Sequence, residues 1–111
     1  MFVKDEISTR KKDFEALCQK HQVKYLYAFG SSVSDRFDYE KSDIDLLVEI
    51  DDNDPIERGE KLISLWDLLE SFFRRKVDLL TDSSIHNPFL RKSIDSNKIL
   101  IYDRAGEKAL V

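Results

Sequence analysis

Two aspartates in the sequence Ser-Asp-Ile-Asp, Asp43 and Asp45, have the residue type and spacing that divalent-metal chemistry uses. The segment that contains them is predicted to be a β-strand, in which side chains alternate between two faces, so both acids lie on one face. The residues of the other face are all apolar: Ile44, Leu46, Val48 and Ile50. We expect that face to be buried, which holds the two carboxylates side by side opposite it. Because such carboxylates repel each other and a hard cation relieves the repulsion, the pattern predicts that Asp43 and Asp45 are magnesium ligands.

A third acid, Asp78, lies in another short apolar segment, Lys76 to Thr81, which is predicted to be a strand. If this strand lies beside the first one with the acid-bearing faces aligned, three carboxylates meet on one face of a sheet. Two magnesium ions held about 4 Å apart by such carboxylates can bind the attacking and leaving oxygens of a displacement at phosphorus. The three acids therefore predict a two-metal site for phosphorus chemistry.

The turn Gly30-Ser31-Ser32 follows a β-branched and aromatic segment, residues 23–29, that is predicted to be a strand. A glycine lets the backbone approach a phosphate closely, and a serine hydroxyl with neighbouring N–H groups can bind phosphate oxygens. We therefore expect Gly30, Ser31 and Ser32 to bind the phosphates of a nucleotide at the same sheet edge as the acids.

The remaining pattern supplies the elements that position these residues. Apolar residues at helical spacing predict a helix from Asp5 to about His21, and Asp54-Pro55 predicts the start of a helix that extends to about Arg74. A short helix around Pro88 to Asn97 is expected to bury Phe89, Leu90 and Ile94, and residues 98–103 are expected to form the last strand. The fold class is therefore α/β (α+β), with a small mixed β-sheet flanked by helices.

The helix that begins at Pro55 carries a wide apolar face made of two stripes. The stripes are Leu62, Leu65, Leu69 and Phe72, and, beside them, Ile63, Trp66 and Phe73. Most of this face is expected to be core, and part of it is a candidate surface for a partner. Arg74, Arg75 and Lys76 are expected to form a solvated helix end, where cations favour the helix dipole.

The length of 111 residues predicts a single domain, residues 1–111, with one core. The formal net charge is -4 with acids and bases interspersed, which argues against broad binding to nucleic acid. No stretch is apolar enough for a signal peptide or a membrane span, and the single cysteine, Cys18, cannot form an internal disulfide. We therefore expect a cytoplasmic protein without a membrane contact, in which Cys18 is a small buried residue. His21 and His86 lack metal-ligand spacing and are expected at a helix end and in a loop.

These motifs together resemble the nucleotidyltransferase superfamily that includes DNA polymerase β. The motifs are Phe-Gly-Ser at a strand end, Ser-Asp-Ile-Asp before Leu-Leu-Val, and a later aspartate in Val-Asp-Leu-Leu. The chain is most similar to the minimal stand-alone members, the MNT domains, over nearly its whole length. The resemblance implies a polymerase β-like nucleotidyltransferase fold. It also implies that a nucleoside monophosphate moves from a nucleoside triphosphate, expected to be ATP, to a hydroxyl, with Mg²⁺ as cofactor and pyrophosphate leaving.

The resemblance also implies a role for each motif residue. Asp43 and Asp45 would bind both metals, while Asp78 would bind the catalytic metal and help to deprotonate the attacking hydroxyl. Ser31 would contact the phosphates, and Gly30 would give the turn its shape.

The loop after Gly-Ser departs from the family pattern. Minimal members commonly have a small residue, a basic residue and a second glycine there, whereas this chain reads Ser32-Val33-Ser34-Asp35-Arg36. Asp35 places an anion near the expected triphosphate, which either weakens nucleotide binding or leaves Arg36 to replace the family's basic residue.

Three functions fit these features. Minimal members often serve as the antitoxin of a HEPN-domain ribonuclease toxin, and some transfer AMP to a tyrosine of that toxin, so the first hypothesis is an enzyme acting on such a partner. The second is a module of the same fold that neutralises the toxin by binding alone. The third is a metal-dependent phosphodiesterase, which fits the carboxylates but leaves Gly30 and Ser31 without a role. The presence of all three acids favours the enzyme, and the altered loop favours the binding module.

Overall fold

The computed structural model describes residues 1–34 and 37–105. Within these residues, four α-helices and four strands occur in the order α1, α2, β1, β2, α3, β3, α4 and β4. Their bounds are α1 Phe2–Thr9, α2 Lys11–Lys20, β1 Val23–Phe29, β2 Ile44–Ile50, α3 Pro55–Phe73, β3 Val77–Thr81, α4 Pro88–Asn97 and β4 Ile99–Asp103. Short 3₁₀ turns at Gly30–Val33 and Asp82–Ser84 follow β1 and β3.

The strands form one mixed sheet in the order β3-β2-β1-β4. β1 pairs antiparallel with β2 and with β4, whereas β2 and β3 are parallel. The predicted small mixed sheet flanked by helices is therefore confirmed. In the parallel pair Asp45 lies directly opposite Asp78, so the strand that carries the third acid does lie beside the strand that carries the first two.

The two faces of the sheet are buried to different depths. The larger apolar cluster joins one face to α1, α2 and α3, and it includes the apolar residues predicted for β2: Ile44, Leu46, Val48 and Ile50. On the other face, Ile94 of α4 packs with Phe29 and Leu47 in a smaller cluster. On the acid-bearing face of β2, α4 thus covers Leu47, which lies two residues after Asp45.

The N-terminal segment forms two helices, so the prediction of one helix from Asp5 to about His21 was wrong. The helices meet at Arg10, whose backbone leaves the helical region (φ -134°, ψ 47°). The Arg10 guanidinium donates to the Phe72 carbonyl at 2.6 Å and lies 3.8 Å from the centre of the Phe72 ring. This long-range contact holds the bend. Cys18 is fully buried, as expected.

The prediction for α3 is confirmed at its start, where the Asp54 carboxylate accepts a hydrogen bond from the Ile56 N–H and Pro55 opens the helix. The buried residues of α3 are Leu65, Leu69, Phe72 and Phe73, whereas Ile63 is 70% exposed and Trp66 37% exposed. Most of the wide apolar face is therefore core, and part of the second stripe is surface.

The short helix α4 buries Ile94, but Phe89 is 83% exposed and Leu90 41% exposed, so the expectation that all three are buried was wrong. Asn87 caps this helix by accepting from the N–H groups of Phe89 and Leu90, which fixes both residues in its first turn. Ile94, one and a half turns later, reaches the sheet, and the first turn lies at the surface. In the described residues no helix is long and apolar enough to cross a membrane.

Candidate active site

Asp45 and Asp78 form the centre of the site. They lie opposite each other in the parallel register of β2 and β3, and their side chains share a hydrogen bond. Burial, followed by the charge and the hydrogen bond of Asp78 and then the charge of Asp43, raises the pKa of Asp45 to about 6. Two carboxyl groups can share a hydrogen bond only when one of them carries a proton. Without a cation, Asp45 therefore holds its proton below about pH 6 and loses it at higher pH.

Asp43 stands apart from this pair. It precedes β2, and its carboxylate lies 3.9 Å from the ammonium of Lys76, a partly exposed ion pair. Among the residues that the structure describes, no group of three or more His, Cys, Asp or Glu side chains is arranged to hold a metal ion. Of the three predicted acids, the fold thus brings two into contact and keeps the third near enough to influence Asp45 electrostatically.

Gly30 lies against the Asp45 side of the acid pair. Its φ of +65° belongs to the left-handed region that glycine adopts without strain, and a Cβ at this position would lie 2.7 Å from Oδ2 of Asp45. The turn therefore packs its backbone directly against the Asp45 carboxylate. The sequence analysis expected a close approach to a phosphate; the approach that the structure shows is to the Asp45 carboxylate.

The serines of the turn differ in their surroundings. Ser32 is 1% exposed, and its hydroxyl accepts a hydrogen bond from the Asp45 N–H at 2.9 Å. This internal bond makes Ser32 a support for Asp45, which the sequence did not reveal. Ser31 is half-buried, and its carbonyl accepts from the Ser34 N–H at 3.2 Å. The predicted nucleotide-binding residue Arg36, with Asp35, lies outside the described residues.

A cleft of about 360 Å³ opens beside the acid pair. Gly30, Asp45 and Asp78 form its polar side, and most of the remaining lining is apolar: Phe29, Trp66, Leu79, Leu80 and Leu90, with Ser93. The Trp66 indole N–H donates to the Val77 carbonyl at 2.6 Å, which holds the ring beside the strand that carries Asp78. Trp66 and Leu90 are site residues that the sequence analysis assigned to a helix face and to the core.

A larger cavity, of about 530 Å³, lies at the opposite end of β2 and contains none of the three acids. Its charged residues pair with residues of the same region, for example Lys24 with Glu49 at 3.5 Å and Asp52 with Lys61 at 2.5 Å. Neutralised charges of this kind leave little for a charged ligand to bind, so the cleft at the acid pair is the candidate active site.

Comparison with known proteins agrees with this geometry. The model of the nucleotidyltransferase domain family matches residues 10–101, which include both strands of the acid pair and the Gly30 turn. The chain belongs to the nucleotidyltransferase domain family. The resemblance inferred from the motifs is thereby confirmed, and the cleft lies where this nucleotidyltransferase domain brings its motif residues together.

Relatives of this nucleotidyltransferase domain include candidate protein adenylyltransferases of Methanocaldococcus jannaschii. One is 40% identical over 91 residues, covering 82% of this chain and 89% of the relative. Another is 39% identical over 99 residues, covering 89% of this chain and 94% of the relative.

Solved structures share the fold at lower identity. A minimal nucleotidyltransferase structure superposes with a TM-score of 0.60 at 23% identity, covering 86% of this chain and 93% of that one. A chain from a toxin–antitoxin complex with AMP-PNP gives a TM-score of 0.57 at 23% identity, covering 95% and 77%. A chain from a complex of a tri-AMPylated Shewanella oneidensis HEPN toxin with its MNT antitoxin gives 0.51 at 21% identity, covering 95% and 75%. These likenesses confirm the nucleotidyltransferase fold.

The acid pair of this nucleotidyltransferase domain fits a divalent cation in its donor chemistry. Carboxylate oxygens are the ligands that magnesium prefers. A bound cation would offset both the burial and the neighbouring charges of Asp78 and Asp43, which together raise the pKa of Asp45. Asp45 and Asp78 are therefore the residues that would hold the metal first, and Asp43 is the candidate third ligand.

Gly30→Ala should destabilise the nucleotidyltransferase domain by about 2 kcal/mol or more, because a side chain at positive φ is strained and the added Cβ meets Asp45. Gly59→Ala is a matched control, since Gly59 lies within α3 and an added Cβ there has open space around it. That control should instead gain about 0.5 to 1 kcal/mol. Urea unfolding of both variants measures the difference, and equal behaviour would contradict the packing of the turn.

The raised pKa of Asp45 predicts a stability that falls with pH. A carboxyl whose folded-state pKa exceeds its unfolded value of 3.8 favours the folded state when protonated, so this contribution is present below pH 4 and is lost as pH rises toward about 6. Asp45→Asn is always neutral and should melt several degrees higher than the wild type at pH 7 without metal. It should also lose the stabilisation that magnesium gives the wild type. Thermal melts at pH 4 and 7, with and without magnesium, test this, and a variant that melts lower at pH 7 would argue against crowded acids.

Proposed function

We propose that this domain is a magnesium-dependent nucleotidyltransferase that moves AMP from ATP to a hydroxyl of a HEPN-domain toxin and thereby acts as its antitoxin. The observation that carries the proposal is the contact between the Asp45–Asp78 pair and the Gly30 turn in one cleft. Metal-binding acids and a phosphate-binding turn are the two parts that nucleotidyl transfer needs at the same place. The names of the M. jannaschii relatives and the structures of toxin–antitoxin complexes support the acceptor and the partner.

The chemistry joins the acceptor oxygen to the α-phosphorus of ATP and breaks the bond to the β-phosphate, so that pyrophosphate leaves. Asp78 accepts the proton of the attacking hydroxyl, and the backbone at Gly30 with Ser31 binds the phosphate oxygens. Arg36 supplies the basic side chain of the loop. Asp43, Asp45 and Asp78 would hold magnesium, which would supply positive charge to neutralise the phosphates.

The acceptor is presented by a protein that binds to the apolar rim of the cleft, which we define as Ile63, Trp66, Phe89 and Leu90. Trp66 and Leu90 line the cleft itself, and Ile63 and Phe89 are the more exposed neighbours on the same two helices. Exposed apolar residues that continue into a reactive cleft suit a partner that must insert one of its own side chains there. Held in this way, the hydroxyl reacts as part of a complex, and proximity supplies much of the rate.

A second candidate function is an antitoxin that neutralises its partner by contact alone. It is favoured by the ion pair of Asp43 with Lys76, by the internal use of the Ser32 hydroxyl and by the altered sequence of the loop. A metal-dependent phosphodiesterase would share the acids, but it has no use for a turn that packs a glycine against them.

The test incubates the purified domain with magnesium and each of four labelled nucleoside triphosphates, with and without the product of the neighbouring gene. Transfer predicts label on that protein from ATP, and no label with the Asp45→Asn domain. Tight binding without label from any triphosphate would support the contact-only antitoxin, and release of nucleotide product without protein labelling would support the phosphodiesterase.

A further inference from the structure

The guanidinium of Arg75 binds the loop that precedes β2. Its Nη1 donates to the carbonyl of Asp38 at 3.2 Å and to that of Ser42 at 2.9 Å, and its Nη2 donates to the carbonyl of Tyr39. Ser42 is the residue immediately before Asp43. One side chain therefore donates hydrogen bonds to three carbonyls of the segment that directly precedes Asp43.

Two aromatic rings lie against the same guanidinium. Its Cζ is 4.7 Å from the centre of the Phe2 ring and 5.0 Å from that of Phe37, and the two rings stack on each other at 5.4 Å. The Nε of Arg75 is buried and has no hydrogen-bond partner among the described residues. The guanidinium loses part of its hydration here, and its contacts with the carbonyls and rings offset that loss. These contacts hold the Arg75 side chain in one position. The expectation of a solvated helix end was wrong for it.

The loop presents its carbonyls through its own hydrogen bonds. The Asp38 carboxylate accepts from the Glu40 N–H at 2.8 Å, and the Ser42 hydroxyl accepts from the Asp38 N–H at 2.8 Å. The Asp38 carbonyl also accepts from the Ser42 N–H at 2.9 Å. The segment is thus a closed turn, and Arg75 binds the turn as one unit.

The chain on the other side of Asp43 is held by the same segment. The Ile44 N–H donates to the Lys76 carbonyl at 3.0 Å. Asp43 is therefore flanked by bonds to Arg75 and Lys76, and Asp78 follows two residues later on the adjacent strand. One short segment thus sets the backbone of Asp43 relative to Asp78.

We propose that Arg75 is a positioning residue that sets Asp43 relative to the Asp45–Asp78 pair for metal binding. The proposal rests on the proposed function insofar as the acids are metal ligands. Lysine cannot replace arginine here. The planar guanidinium group donates to three carbonyls and stacks on two rings at the same time, which a single ammonium group cannot do.

The experiment measures Mn²⁺ binding to the whole chain by electron paramagnetic resonance, for the wild type, Arg75→Lys and Arg74→Lys. Arg74 is the exposed neighbour at the same helix end, so its variant makes the same change away from the loop. Arg75→Lys should weaken Mn²⁺ binding about tenfold, as losses around a metal site commonly do, and Arg74→Lys should stay within about twofold. Phe37→Leu, which removes one ring and keeps the hydrogen bonds, is a milder second variant expected to shift affinity in the same direction.

A double variant separates positioning from general stability. In the Asp43→Asn background, Arg75→Lys should cause no further loss of Mn²⁺ affinity, because its effect acts through Asp43. Lower melting temperatures with unchanged affinity in Arg75→Lys and Phe37→Leu would overturn the proposal, as would additive losses in the double variant. If the wild type does not bind Mn²⁺, or if Asp45→Asn binds it equally well, the metal site of the proposed function is refuted, and the role of Arg75 is refuted with it. A wild type that binds while Arg75→Lys binds equally well refutes only the role of Arg75.

Discussion

Asp78→Asn should lower the rate of nucleotidyl transfer at least about a hundredfold while ATP binds within about tenfold of the wild-type affinity. The Asp78 side chain contacts Asp45 across the parallel strands and lines the cleft. Asparagine has nearly the same shape, but it accepts no proton from the attacking hydroxyl and is a poorer metal ligand. Single-turnover rates and equilibrium dialysis of ATP measure the two quantities separately.

Asp67→Asn is the control for this prediction, because it removes an exposed acid of α3 that does not line the cleft. Its rate should stay within about twofold of the wild type. Equal losses of binding and rate in Asp78→Asn would assign Asp78 to nucleotide binding, and normal turnover would contradict the proposed site.

Ile63→Asp combined with Phe89→Asp should weaken the complex with the HEPN-domain partner at least about a hundredfold. Both residues are more than two-thirds exposed, and both neighbour cleft-lining residues on their helices. A carboxylate placed in an apolar interface loses its hydration without a compensating charge. Calorimetric titration of the partner measures the affinity, and thermal melts should show that the domain itself stays folded.

Ile56→Asp is the matched control for the apolar rim. Ile56 is 74% exposed on the same helix, but it lies seven residues, or about 10 Å, nearer the N-terminus of α3. Its variant should bind the partner within about threefold of the wild type. An equal loss of binding would place the partner along α3, away from the cleft.

The sequence predicts that Asp45 and Asp78 share one face of the sheet, because apolar and polar residues alternate along both strands and this alternation is visible in the sequence. An unbroken apolar face on β2 fixes which way Asp45 points, and Val77 and Leu79 do the same for the strand that carries Asp78. The turn could also be predicted, because a glycine directly after an aromatic strand is a local signal that needs no distant contact.

Features that depend on long-range contacts could not be predicted. The bend at Arg10 depends on the Phe72 carbonyl and ring, which lie 62 residues away, and apolar spacing continues across the bend. Trp66 lines the cleft because its indole binds the Val77 carbonyl, and Arg75 is held by a loop that precedes it by more than 30 residues. Side chains that bind distant backbone carbonyls leave no periodic signal in the sequence.

The separation of Asp43 from the other two acids also lies beyond sequence reasoning. Alternation places Asp43 and Asp45 on one face, but Asp43 precedes the first paired residue of β2, and its carboxylate meets Lys76. A strand pattern describes side chains only where the strand is formed.

The most direct test of the proposed transfer is the intact mass of a HEPN-domain protein that binds this domain, after incubation with ATP, magnesium and the wild-type domain. We expect one or more added AMP groups on that protein, and an unchanged mass when the domain carries Asp43→Asn or Asp45→Asn. A partner that is bound and neutralised by the wild-type domain without any change in mass would contradict the proposed transfer.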